Sequence, residues 1–191
     1  MKKKIPCQIT SLLVLALFVC LASGCATSSL TSNKSDRLKG PYKKIFIAIH
    51  SDIRTSPFTV PWMENIAKEF QDRNILLKTY DIPDQDNNPL SLQSDSANNE
   101  MNTQINEFQP EVVMIIALRK IEAYGGVQIG RPGSNGGTFD MKLFGPEDAH
   151  TPIWRGNMKV WGDYGISLAV KKGTQTFISK LEEDNIIIPK N

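Results

Sequence analysis

The chain has 191 residues and a formal charge of +2. Without residues 1–24, argued below to be a cleaved signal, its 22 Lys and Arg become 19 against 20 Asp and Glu. The mature balance is then near −1, and it gives no argument for a nucleic-acid partner. The remaining 167 residues suit one domain and are long enough to bury a core.

Lys2, Lys3 and Lys4 open the chain, and Leu12 to Ala22 form an apolar run of 11 residues. That run is too short to span a bilayer, which takes about 20 apolar residues, and has the layout of a secretory signal. Its end, Leu21-Ala22-Ser23-Gly24-Cys25, resembles the lipobox of bacterial lipoproteins, with Ala22 where that family more often has leucine. The resemblance implies acylation of Cys25 and cleavage after Gly24. Two or more acyl chains on one residue suffice as an anchor, each buried CH₂ giving about 0.8 kcal/mol. Ala26 follows the cysteine; by the sorting rule that the resemblance carries, absence of aspartate there points to the outer membrane, facing the periplasm. Cys7 and Cys20 leave with the signal, so the mature chain keeps no free thiol for a disulfide, a metal or nucleophilic catalysis.

Residues 25–41 are rich in Ser, Thr, Asn and Lys and close on Gly40-Pro41. Their composition predicts a flexible tether, about 20 Å long as a coil, leading to a single α/β domain over residues 42–191. Lys43 to His50 alternates and is apolar on both faces, as in a strand buried on two sides. A polar loop covers Ser51 to Pro57, and a helix starts near Pro61 with Trp62, Ile66 and Phe70 on one stripe. Asn74 ends that helix, and Ile75 to Tyr80 forms a second strand. After a polar loop from Asp81 to Asp95, a helix from about Ser96 to Phe108 presents Ala97, Met101, Ile105 and Phe108. Val112 to Leu118 is a continuous apolar run, hence a central strand. Three strands joined by two helices imply parallel crossovers.

Gly125 to Gly137 holds six glycines in 13 residues and reads as an excursion. Phe139, Met141 and Leu143 then alternate in a fourth strand, and Ile153 to Trp161 in a fifth. Trp154 and Trp161 have opposite parity and so lie on opposite sheet faces. One belongs to the core, and the other is a candidate interface anchor. A last helix spans Ile166 to Glu183, with Asn185 as its cap. The expected fold is α/β, a mixed sheet of order β-α-β-α-β-β-β-α with helices packed on it.

This order, with the lipobox, resembles a group of bacterial envelope proteins whose domain is anticodon-binding-domain-like. The group includes the curli secretion lipoprotein, the lipoprotein activators of penicillin-binding proteins, the Pel exopolysaccharide lipoprotein and the amino-terminal domain of the Tol β-propeller protein. The residues that carry the resemblance are Tyr42 to Ile47, Gln109 to Val113, Asp148, Pro152 to Gly156, and Phe177 to Leu181. It implies a non-catalytic protein that oligomerises or docks onto a partner, and it transfers no functional residue.

Other constellations are incomplete. Asp84, Asp86, Asn88 and Asp95 match calcium-loop positions, but Pro89 stands where glycine makes the turn and Asp95 where a bidentate glutamate belongs. The glycine-rich segment lacks a phosphate-loop pattern, since Gly130 is followed by Arg131-Pro132. Ser134 has Gly136 after it but Pro132 before it, so no nucleophile elbow forms. His50 and His150 are not paired at metal or triad spacing. Asp52 and Asp81 lie just past the carboxyl ends of the first two strands, where open α/β sheets bind ligands. The expectation is therefore no catalytic residue, no metal and no cofactor. Its partners would be the membrane, through Cys25, and a protein or a second copy. The alternative is a lipoprotein that binds a small ligand or divalent ion at Asp52 and Asp81 or at Asp84–Asp95.

Overall fold

The computed structural model describes residues 26–50, 56–82, 98–123, 135–148, 150–162 and 166–190. The elements in chain order are β1 (Ala26–Lys34), β2 (Lys44–His50), α1 (Ser56–Gln71), β3 (Leu76–Ile82), α2 (Asn98–Phe108), β4 (Val112–Ala123), β5 (Asn135–Phe144), β6 (Trp154–Gly162) and α3 (Ile166–Glu183). The six strands form one mixed sheet in the order β1-β6-β5-β4-β2-β3. β2 runs parallel to both β3 and β4, and the other neighbours are antiparallel. The expected α/β order is present, with one strand added in front.

Period-two alternation decides which side chain faces which layer. Ile45, Ile47 and Ile49 of β2 point to the side covered by α1 and α3, where Trp62, Ile66, Phe70, Val170, Phe177 and Leu181 join one core. Trp62 is the centre of that layer, with Phe58, Phe139 and Phe177 rings 5.4–5.6 Å away. Phe46 and Ala48 point the other way and pack with Met101 and Ile115 in a smaller core under α2.

The helices begin and end where local chemistry allows. α1 starts at Ser56, five residues before the expected Pro61, and includes both Pro57 and Pro61. Pro57 falls in the first turn, where the missing N–H has no intrahelical acceptor to lose; Pro61 costs one ladder bond. Asn74 and Asn185 end α1 and α3 in the left-handed conformation, φ 56° and 60°, which asparagine tolerates at a helix carboxyl end. Arg73 then ties the two helices together. Its guanidinium is buried and donates to Glu69 on α1 and to Glu182 on α3, both at 2.6 Å.

The expectation that fails is the tether. Ala26 to Lys34 is a strand, paired antiparallel with β6 over nine residues from Ala26 opposite Gly162 to Lys34 opposite Trp154. The segment after it is also held. The Ser35 N–H donates to the Ile153 carbonyl, Arg37 pairs with Asp148 at 3.1 Å, and Gly40 accepts a bond from Asn185 Nδ2. Polar composition predicts a coil only when no sheet edge offers partners; here β6 does. The folded domain therefore includes Ala26 to Lys34 and does not start at residue 42.

Candidate interaction surface

α1 and α3 cover one face of the sheet, and α2 covers part of the other, over β2, β3 and β4. No helix among the described residues covers that second face over β5, β6 and β1. The register sets its side chains in rows: Thr138, Lys159 and Ser29; Asp140, Asn157 and Thr31; Lys142, Arg155 and Asn33. Asn157 Nδ2 donates to Asp140 Oδ1 at 2.6 Å, and Arg119 approaches Asp140 Oδ2 at 3.5 Å. A shallow groove of about 380 Å³ lies along Asp140, Lys142, Arg155, Asn157 and Thr31. This face is polar and more basic than acidic.

β1, nine residues long, forms one edge of the sheet, and among the described residues no strand pairs with its outer side. A second groove of about 510 Å³ runs between Leu30 of β1 and the Lys172 to Glu183 side of α3. An unpaired strand edge presents backbone donors and acceptors to whatever strand approaches it.

What holds that edge in place is a buried carboxylate. Asp184 follows α3 directly, is 6% exposed, and accepts bonds from Ser32 Oγ at 2.5 Å and from Trp154 Nε1 at 2.7 Å. Lys180 and Lys34 stand 3.7 and 4.0 Å from its other oxygen. Burial opposes its charge, but the Ser32 and Trp154 bonds and the two lysines outweigh burial and hold its pKa below the ordinary carboxylate value. One side chain thus joins β1, β6 and α3. The sequence carried a signal for it: Glu182, Glu183 and Asp184 crowd a helix carboxyl end, where the dipole disfavours negative charge, so a partner was needed there.

The two tryptophans fall on opposite faces, as their parity requires. Trp154 is completely buried and spent on Asp184 and on covering Gly156, so it is no interface residue. Trp161 is half-buried on the polar face, its ring over the cross-strand Gly136.

Asp148 and Glu111 are local organisers. Asp148 Oδ1 accepts the backbone N–H of His150 and Thr151 at 2.8 and 3.1 Å. The His150 N–H, then the Thr151 side chain and Arg37, lower its pKa strongly. Glu111 Oε2 accepts the N–H of Lys43 and Lys44, which joins the start of β4 to the start of β2.

His50 ends β2 and His150 lies in the β5–β6 turn, so the topology sets them at opposite ends of the sheet. Asp81 lies on β3 opposite Ile49, with its side chain exposed. Cys25, Asp52, Asp84–Asp95 and the glycine-rich stretch as far as Ser134 lie outside the described residues. Among the described residues no three His, Cys, Asp or Glu gather as a metal site, and no helix is long and apolar enough to cross a membrane.

No protein-family model matches the sequence, and no curated protein matches it. Among solved structures, the chain is similar to the PelC dodecamer of Paraburkholderia phytofirmans, at TM-score 0.52 and 9% identity, covering 84% of this chain and 99% of that one. It is similar to a variant of that dodecamer at TM-score 0.50 and 9% identity, covering 79% and 96%. A hypothetical protein of Chlamydia trachomatis matches at TM-score 0.42 and 10% identity, covering 73% and 96%. At 9% identity the PelC likeness shows the fold alone: this chain has a mixed α/β fold, a six-stranded sheet with three helices packed on it.

Proposed function

We propose that this chain is a lipid-anchored lipoprotein of the bacterial cell envelope, acylated on Cys25, and that it acts as a non-enzymatic assembly or accessory factor. It would bind copies of itself or a protein partner, in the outer membrane and facing the periplasm. The observation that carries this reading is the outer edge of β1, which no described strand pairs, beside a polar sheet face that no described helix covers. Such an edge is a liability for a lone soluble domain and an asset for one that assembles. The lipobox motif and the place of Ala26 support the anchor and its membrane. The fold's likeness to a protein solved as a dodecamer makes a homo-oligomer the first form to test.

Cys25→Ser tests the anchor. The variant should leave the membrane fraction, lose the mass of its acyl chains and melt at an unchanged temperature; a variant still membrane-bound at unchanged mobility would refute acylation. Crosslinking in intact cells, with light scattering of the detergent-solubilised full chain, tests assembly. The expected result is a discrete oligomer or one crosslinked partner, and a strict monomer that crosslinks to nothing would refute that part.

A further inference from the structure

We propose that the end of the sheet where β1 begins is a bilayer-facing surface that seats the domain directly on an anionic lipid surface. This rests on the acylation of Cys25 proposed above. Because β1 starts at Ala26, no spacer separates the anchor from the fold: Ala26 is one residue beyond Cys25 and already paired with Gly162.

The topology says what else lies at that end. β1 and β5 begin there, β2, β3, β4 and β6 finish there, and all three helices start there. Four Cα–Cα steps of ~3.8 Å hold Ile166, the first residue of α3, within about 15 Å of Gly162. Among the described residues four large apolar side chains are more than a third exposed, and three of them are here: Ile166 and Leu168 on the first turn of α3, and Val60 near the start of α1. The fourth, Leu76, opens β3 at the opposite end.

Charge agrees with that placement. Lys171 and Lys172 are exposed one turn further along α3, and Lys159 is exposed on the last half of β6. The described acidic residues at this end, Asp81, Glu100 and Glu122, sit across the sheet on β3, α2 and β4, and Glu122 follows Arg119 and Lys120 on its strand. Apolar residues flanked by lysine beside an acyl anchor are what a headgroup layer binds: the apolar groups enter the interface and the ammonium groups meet lipid phosphates. A protein partner at this end would instead have to displace the bilayer that the anchor holds within a residue of β1.

The test uses the full-length chain purified from membranes, carrying either Leu168→Cys or Leu76→Cys and an environment-sensitive label. It is reconstituted in vesicles of phosphatidylethanolamine and phosphatidylglycerol that contain a headgroup-spin-labelled lipid. Intact mass first reports whether Cys25 carries acyl chains. Quenching should be several-fold stronger at position 168 than at position 76. Equal quenching at both positions on an acylated chain would overturn the docking proposal and leave the anchor standing. A chain without acyl mass would overturn the anchor and the docking proposal together.

Discussion

Replacing Asp184 with alanine should cost about 3 kcal/mol of folding stability and lower the melting temperature by about 6–12 °C. The estimate comes from the partners that would be abandoned. The Trp154 indole N–H is completely buried, and its only described acceptor is Asp184 Oδ2 at 2.7 Å; Ser32 Oγ shares that oxygen at 2.5 Å. A buried donor left without an acceptor costs about 1–3 kcal/mol, and hydrogen bonds to a charged group contribute about 1.5–3 kcal/mol. In a double-mutant cycle with Trp154→Phe, the coupling should exceed about 1 kcal/mol. The acid dependence has a definite sign. The folded-state pKa of Asp184 lies below its ordinary value, so its contribution is complete above about pH 4 and lost as the pH falls further. Native protein and Asp184→Ala should therefore converge in stability in acid. A variant within about 0.5 kcal/mol of native at pH 7 would mean that the carboxylate does not join the three elements.

The second large effect is expected from deleting Ala26 to Lys34, which joins Cys25 to Ser35. If the ladder bonds and the ordering of nine residues roughly offset one another, the side chains decide the outcome. The deletion removes the Ser32 bond to a buried carboxylate and uncovers Leu30 from the α3 side of the core. With Leu30 only partly buried, those two losses sum to about 2–4 kcal/mol, and Trp154 and Met158 on β6 lose their neighbour strand as well. Chemical denaturation should show a lower midpoint. A tether could be removed at no cost, so an unchanged midpoint would restore that interpretation.

Why β1 escaped a reading of the sequence, when the other five strands did not, is a matter of where its stability comes from. Val112 to Leu118 and Lys43 to His50 carry their own burial in their composition, and Phe139, Met141 and Leu143 carry theirs in their alternation. β1 has one apolar side chain that reaches the core, Leu30, among Ser, Thr and Asn. Its strand conformation is imposed from outside, by the edge of β6 and by Asp184, partners 120 residues and more away in the chain. No local pattern reports that. Gly40-Pro41 looked like a boundary for a similar reason: the dipeptide punctuates a chain in general, but here Gly40 packs so tightly on the Asn185 backbone that a Cβ would not fit. The interaction surface was half legible. The opposite facing of Trp154 and Trp161 followed from parity alone, but which of them is sealed inside follows only from where α3 lies.

With Ala26 to Lys34 a strand of the sheet, the proposed anchor at Cys25 would seat the domain directly and not hang it from a spacer. Hydrogen–deuterium exchange of the full-length protein in vesicles tests it most directly. Amides of Ala26 to Lys34 that face β6 should be protected to the same degree as those of β6 itself, with their outward-facing neighbours exchanging freely. Exchange of the whole segment at the rate of an unstructured peptide would contradict it.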